Sequence, residues 1–390
     1  MKFDFDNIVP RRGSGSVKWD LAKEDGVIPM WVADMDFMTA PAVLEALEKR
    51  LRHGVFGYTR ITGEYYRAVC SWFSRRHGLE MKPEWIIPIS GVVPALTCII
   101  RALVKPGEKV IFQSPAYNCF YTSVTKNGCT LSLNPLTYKD NTYTIDFEDL
   151  ERRAADPDAR VLILCNPHNP SGRVWTREEL ARTGEICLRN HLTVIADEIH
   201  CELTGPGHEY IPFASLSEEF LMNSVTCTSP SKAFNIAGLE IANITAADSS
   251  VREKIREAVS LCEQDNINSF GPAALIAAYD HGEEWLDELL RYIHGNYRHL
   301  LSFAADRLPG YDILPLEGTY LAWMNISRSG MKSDMLAEAI LKEGKVMVNP
   351  GTMYGPGGED FIRINLACPR KLLDEGLRRI AGVLDKLPEG

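Results

Sequence analysis

One lysine in this chain stands out for its neighbours. The stretch Ser229-Pro230-Ser231-Lys232-Ala233-Phe234-Asn235-Ile236-Ala237-Gly238 follows the apolar run Ser224 to Thr228 and sets Lys232 among small hydroxyl residues. An amine held in such a polar turn can form a Schiff base with an aldehyde. Taken alone, it also reads as one of the many lysines that are solvated surface charges. Three upstream segments lie at spacings that suit one pocket with it: Ser90-Gly91-Val92-Val93-Pro94, Asn166-Pro167-His168-Asn169-Pro170-Ser171-Gly172 and Ala196-Asp197-Glu198-Ile199-His200.

Each segment offers a specific chemistry. Gly91, Val92 and Val93 follow the apolar run Ile86 to Ile89, and Pro94 suits a first helical turn, so their backbone N–H groups are placed to bind an anion. An ordinary strand-to-helix turn has the same appearance. Asp197 closes the apolar run Leu192 to Ala196 and would emerge at the carboxyl end of a parallel sheet, where open α/β folds bind ligands. A helix N-cap is the other reading of that aspartate. Near the end of the chain, Arg363 sits in Phe361-Ile362-Arg363-Ile364-Asn365, either as the outward residue of an alternating strand or as a planar fork for a carboxylate.

In this order, the four segments resemble the cofactor site of fold type I pyridoxal-5'-phosphate enzymes, the aspartate aminotransferase superfamily. The resemblance spans nearly all 390 residues. It implies an α/β, aspartate-aminotransferase-like fold, in which a large domain with a mostly parallel seven-stranded sheet carries a smaller α/β domain. It also implies that Gly91, Val92 and Val93 cradle the phosphate, with Ser229 and Ser231 as hydroxyl donors. Asp197 would pair with the pyridinium N–H, Asn169 would reach the phenolic oxygen, Tyr117 would stack on the ring and Lys232 would carry the aldehyde. His200 occupies the place where transaminases usually carry a tyrosine for the phenolic oxygen. Glu240 stands where many carry a phosphate-pairing arginine, which leaves the phosphate to backbone, hydroxyl and aromatic donors. Arg363 matches the arginine that grips the substrate carboxylate.

Four stretches narrow the resemblance further: Met30-Trp31-Val32-Ala33-Asp34-Met35-Asp36-Phe37, Val55-Phe56-Gly57-Tyr58-Thr59, Asp197-Glu198-Ile199-His200 and Lys232-Ala233-Phe234-Asn235-Ile236-Ala237-Gly238-Leu239. They look like the cystathionine β-lyase group of carbon–sulfur lyases. What that implies is elimination of a thiol from a small sulfur amino acid in a homodimer with shared sites, Lys232 serving as base. Ala33 would line the substrate, and Tyr58, reaching over from the partner subunit, would position substrate or phosphate. An aminotransferase and a regulatory or binding protein on the same fold remain competing readings.

The elements that must position these residues follow from periodicity. Six apolar runs read as buried strands: Ile86 to Ile89, Lys109 to Gln113, Val161 to Cys165, Thr193 to Ala196, Ser224 to Thr228 and Ile241 to Ala246. Helices are expected over Glu64 to His77, stopped by Gly78, and over Thr176 to Arg189, where Thr176 and Glu179 have capping-box spacing. A long amphipathic helix (Glu283 to Leu308), short strands (Tyr320 to Ile326 and Phe361 to Leu366) and a last helix from Arg370 describe a smaller unit. The expected division is an N-terminal segment 1–48 belonging to the small domain, a large domain 49–285 and a C-terminal small domain 286–390.

Composition bounds the partners. With 45% apolar and 24% charged residues, the chain can bury a large core. A formal charge of −10 argues against nucleic acid. The charged start, Met1 to Asp20, lacks the apolar region of a secretory signal, and no apolar run is long enough for a bilayer, so a cytoplasmic protein without membrane contact is expected. The ten cysteines include no CxxC pair, so neither a metal centre nor a disulfide framework is expected.

Overall fold

Short β-branched runs, apolar on both sides, make strands that must be covered on both faces. The computed structural model describes residues 2–387. Its largest sheet has seven strands: β1 (Ile86–Ile89), β2 (Lys109–Ser114), β3 (Thr130–Pro135), β4 (Ala159–Cys165), β5 (Thr193–Asp197), β6 (Ser224–Thr228) and β7 (Ala242–Thr245). They lie side by side in the order β1-β7-β6-β5-β4-β2-β3. Strand β7 is antiparallel to both neighbours and the other pairings are parallel, so the sheet is mostly parallel, as expected. The strand not anticipated is β3. It lies at the sheet edge, pairs with β2 alone and is partly exposed, so its Thr-Leu-Ser-Leu-Asn-Pro sequence lacks the apolar continuity of a central strand.

Alternation along the strands sorts their side chains into two cores. Val161, Ile163, Cys165 and Ile195 join one cluster, whereas Leu162, Leu164, Val194 and Ala196 join the cluster on the opposite face. Asp197, two residues beyond Ile195, therefore faces the first cluster, which also contains the buried side of the helix that follows β1.

That helix is one of several whose ends are set by local chemistry. Five of them are α1 (Pro41–His53), α2 (Gly63–His77), α3 (Val92–Leu103), α4 (Asn118–Lys126) and α5 (Arg177–Arg189). Helix α2 stops at Gly78, which takes a left-handed φ of 63° and returns its N–H to the last turn. Helix α5 opens with the anticipated reciprocal capping box between Thr176 and Glu179.

Beyond β7, α6 (Gly271–His281) and α7 (Glu283–Arg307) lead to a second, antiparallel sheet of β8 (Leu321–Asn325), β9 (Asn349–Pro350) and β10 (Phe361–Asn365), in the order β8-β10-β9. Helix α8 (Arg370–Leu384) closes the chain. Ile28–Pro29 pairs in parallel with Val346–Met347, which ties the N-terminal segment to these late elements. Arg363 lies on β10 opposite both Trp323 and Asn349. Between β9 and β10, Gly351 and Gly358 approach so closely that a Cβ on either would strike the other's backbone. This tight crossing fixes the turn Gly351–Tyr354. Among the described residues, no helix is long and apolar enough to cross a membrane.

Candidate active site

The carboxyl ends of β4, β5 and β6 open into a cavity of about 390 Å³ that contains Lys232, Asp197, Asn169 and Arg363. One wall comes from the large sheet. Gly91 is the N-cap of the 12-residue helix α3, so the amides of Val92 and Val93 belong to a first turn without intrahelical acceptors. Pro94 sits one residue later in that same turn. Gly91, Val92 and Val93 all line the cavity. The start of a helix with free N–H groups is suited to an anion.

Asp197 ends β5 and is buried, and its Oδ1 accepts the Ile199 amide at 3.3 Å. Burial pushes its carboxyl up to about 6, a shift opposed by the Ile199 amide and by the charge of Lys232. Burial and then the Arg363 charge push the Lys232 amine down, while Asp34 and Asp197 hold it up. Lys232 Nζ donates to the Ala33 carbonyl at 2.9 Å. A half-buried amine with a depressed proton affinity is the form a nucleophilic lysine requires.

Several expected partners cluster around that pair. Tyr117, the N-cap of α4, lines the cavity, and burial raises its hydroxyl. Asn169 is buried, and its Oδ1 accepts from Arg363 Nη1 at 3.0 Å, which leaves its amide hydrogens for another acceptor. His200 is buried and pushed down to about 3 by desolvation, with Lys232 and Arg363 adding to the effect, so its ring is neutral. Its Nδ1 has no partner. Ser231 lines the cavity. Ser229 differs from the expectation of a phosphate donor: its hydroxyl donates to the Ile241 carbonyl at 2.7 Å and accepts the Ser231 amide at 3.0 Å. Its hydrogen is committed to bracing the turn that carries Lys232.

The opposite wall is a strap, residues 31–37, pinned by side chains from distant parts of the chain. Arg363 Nη2 donates to Trp31 O at 2.7 Å, and Asn349 Nδ2 donates to the same carbonyl at 3.1 Å. Asn365 Nδ2 holds the carbonyls of Val32 (2.6 Å) and Asp34 (2.7 Å). Asn235 accepts the Met35 amide and donates to the carbonyls of Met35 and Phe37. Tyr320 Oη donates to Ala33 O at 2.9 Å, sharing that oxygen with Lys232. The Arg363 guanidinium lies 5.0 Å from the Tyr354 ring, and its Nε is buried without a partner.

Sequence reasoning did not find Tyr320, Asn349 or Tyr354, since each takes its meaning from a contact across the fold. Asn365 had a readable signal, because it shares a strand face with Arg363 two residues away.

Two residues lie outside the cavity. Tyr58 is fully exposed on the loop after α1 and does not line the pocket of its own chain. Glu240 is exposed with a left-handed φ of 50°, so its carboxylate does not line the anion-binding end. His77, Cys201 and Glu202 come close enough for a metal ion. Glu202, however, already accepts from Trp72 at 2.6 Å, meets His77 at 2.8 Å and lies 3.5 Å from Arg76, which makes it a charge-compensated anchor for α2.

The groups converging on the cavity are first-turn amides, a buried carboxylate, an aromatic wall, a neutral histidine with an orphaned nitrogen and an arginine with an orphaned Nε. That set fits a flat aromatic aldehyde bearing an anionic group, together with a carboxylate-bearing substrate. The sequence pattern of aminotransferase class I and II matches residues 25–380. The chain is 46% identical over 385 residues to cystathionine beta-lyase PatB of Bacillus subtilis (strain 168), covering 98% of this chain and 100% of that one. It is 32% identical to protein MalY of Escherichia coli (strain K12), covering 99% of each. Cystalysin from Treponema denticola, whose crystal structure contains a pyridoxal 5'-phosphate cofactor, superposes with a TM-score of 0.96 at 34% identity, covering 99% of each chain. With that pattern matched over residues 25–380 and these identities along nearly the whole length, the chain belongs to the aminotransferase class I and II family.

Proposed function

We propose that this chain is a pyridoxal-5'-phosphate-dependent carbon–sulfur lyase. Its reaction is the elimination of a thiol from L-cystathionine or a related cysteine S-conjugate, giving pyruvate and ammonia. The observation that carries the reading is the position of Lys232 in a cavity that also presents Asp197 and Arg363. The likeness to cystathionine beta-lyase PatB supports it.

When bound, pyridoxal phosphate supplies an electron sink for charge developing at the substrate Cα. The residues of the chain do the rest. First-turn amides of α3 and the Ser231 hydroxyl bind the phosphate, while the Ser229 hydroxyl braces the lysine turn from behind. Asp197, ionised by the arrival of a cationic N–H, keeps that nitrogen protonated. Asn169 would donate an amide hydrogen to the phenolic oxygen, the Tyr117 ring would stack on the cofactor ring and exclude water, and neutral His200 would line the same site. The Arg363 fork receives the substrate carboxylate and so fixes the Cα–H bond in the direction of Lys232 Nζ. Lys232, its proton affinity lowered by burial and by Arg363, removes the Cα proton. The Cβ–S bond then breaks, the thiolate departs with the bonding pair and the resulting enamine hydrolyses in water.

The reading includes a homodimer. Leu51, Val55, Phe56 and Tyr58 leave an exposed apolar and aromatic face at the end of α1 and the loop beyond it. In the dimer, Tyr58 reaches the site of the partner subunit. The two-unit division, with the body at 49–285 and residues 286–390 joined by 1–48, is supported by the pairing of Ile28 with Val346. A cytoplasmic location accords with ten cysteines that are all free.

The test is an absorbance spectrum of purified protein before and after Lys232→Ala, followed by a pyruvate assay on L-cystathionine without any keto-acid acceptor. Visible absorbance that depends on Lys232, with pyruvate and thiol released together, supports the lyase. A coloured protein that forms keto acid only when an acceptor is added selects an aminotransferase. A protein that never takes up the cofactor removes both.

A further inference from the structure

Behind the strap lies a group of charges, two of them buried and two partly exposed, that the reaction does not use directly. Lys18 is 1% exposed, and its Nζ donates to Asp36 Oδ2 at 2.8 Å and to the Asp34 backbone carbonyl at 3.0 Å. Arg11 spans the same two acids, with Nη2 at 2.5 Å from Asp34 Oδ2 and Nη1 at 2.7 Å from Asp36 Oδ1. Trp19 Nε1 adds a bond to Asp36 Oδ1 at 2.7 Å, and Trp31 Nε1 donates to the Lys18 carbonyl at 3.1 Å. Two cations and two anions thus sum to zero on the outer side of the strap. Its inner side, at Ala33, meets Lys232 Nζ.

Stability alone is a poor reason for such a cluster. Desolvating several charges costs more than their attraction commonly returns, and apolar residues of similar volume would hold a strap as well. Asp34 also lies within electrostatic reach of the reactive lysine and raises its proton affinity. The groups facing Lys232 are Asp34 from the strap, Asp197 from β5, Arg363 from β10, Cys119 from α4 and neutral His200. Of these, Asp34 is the one whose charge is balanced from outside the cavity. Its Oδ1 is buried without a hydrogen bond, 3.9 Å from Lys18 Nζ.

We propose that Lys18 and Arg11 are positioning residues that neutralise Asp34 and Asp36, and thereby set the charge felt by the Lys232 nitrogen while holding the strap in place. The inference rests on the reading of Lys232 as the cofactor-bearing lysine. With the cluster neutral, that nitrogen gives up its proton at a pH set by desolvation and Arg363, which lower it, against Asp34 and Asp197, which raise it. Removal of Lys18 leaves Arg11 alone against both acids, so one net negative charge stays behind the strap and holds the proton on Lys232 to higher pH.

The experiment is a pH titration of the visible absorbance of the cofactor-loaded protein. Lys18→Met is expected to move the midpoint upward by about one pH unit, the size of one added negative charge acting through a protein interior. Lys18→Arg, which keeps the charge, is expected to leave it within about 0.3 unit. Asp34→Asn is expected to move it downward by about one unit, and Lys18→Met with Asp34→Asn together to return it close to wild type. A purely structural role would lower the melting temperature of Lys18→Met without moving the midpoint. An unmoved midpoint in folded Lys18→Met overturns the inference; if that variant does not fold, an unmoved midpoint in Asp34→Asn does so. In either case wild-type colour would leave the lyase reading intact. A wild type without visible absorbance would overturn both.

Discussion

The two walls of the cavity solve different problems with different parts. The cofactor wall is built on the strand ends of the large sheet and the start of α3, and it places a buried carboxylate and a half-buried amine at one cavity. The substrate wall is a strap held by side-chain amides and a guanidinium from residues hundreds of positions away, such as Arg363 on Trp31 at a separation of 332. Rigid backbone suits groups whose charge must be tuned. A strap held by single hydrogen bonds suits a surface that must accept a substrate and release a thiol. The difference predicts that damage to the first wall abolishes chemistry, whereas damage to the second mainly weakens binding.

The largest effect should follow Lys232→Ala, which removes both the covalent anchor and the base. Elimination is expected to fall by at least about 10⁴-fold, read as pyruvate release, with the Lys232-dependent absorbance lost. Arg363→Lys tests the other wall at its strongest point. Losing the planar fork should cost kcat/KM about 10²-fold, mostly in KM, because the Trp31 and Asn169 contacts need the second nitrogen. An Arg363→Lys variant with unchanged KM and a collapsed kcat would erase the proposed division between the walls.

Asp197 gives the comparison a thermodynamic form. In cofactor-free protein its folded value is raised, to about 6, above the ordinary 3.8, so its contribution to stability is complete below about 3.8 and is lost as pH rises through about 6. Asp197→Asn should therefore gain stability relative to cofactor-free wild type as pH rises across that window, by a few kcal/mol at most. The check is the difference in melting temperature at pH 4.5 and pH 7.5. Glu198, raised to about 7 chiefly by burial, is raised further by the Asp197 charge, so its relief in Asp197→Asn adds to the same gain at higher pH. The same variant should bind the cofactor more weakly, since the cationic N–H loses its partner. A difference independent of pH would mean that the buried carboxylate carries no such tension.

Smaller effects sharpen the contrast. Asn365→Ala removes two bonds to the strap and is expected to cost about 1–3 kcal/mol of stability and to raise KM severalfold, with kcat little changed. Thr176→Ala, at the capping box of α5, should cost about 1 kcal/mol and leave both kinetic constants alone. Chemical denaturation and steady-state kinetics on the same samples separate the two variants.

The two walls also differ in how they can be read from sequence. Gly91, Asn169, Asp197 and Lys232 each sit at the end of an apolar strand-like run, so a local pattern marks them before any contact is known. The same reading recovered the limits of α2 and α5, because Gly78 and the Thr176–Glu179 pair act within one turn. Tyr320 and Asn349 carry no such mark, as their roles exist only once the strap lies against them. Ser229 is instructive in the other direction: its place beside Lys232 pointed to the phosphate, yet the Ile241 carbonyl 12 residues on takes its hydrogen. Strand β3 escaped because edge strands need only one covered face. The cluster of Arg11, Lys18, Asp34 and Asp36 reads along the sequence as ordinary surface charge and becomes visible only when the N-terminal segment is folded back onto the strap.

The central claim is that the ε-nitrogen at position 232 carries the cofactor. Borohydride reduction of the cofactor-loaded protein, followed by proteolysis and mass mapping, tests it most directly. The account predicts one modified peptide, containing Ser231-Lys232-Ala233, with the added mass of a reduced pyridoxyl phosphate. A pyridoxyl label on another lysine, or none at all on a protein that still releases pyruvate, would contradict it.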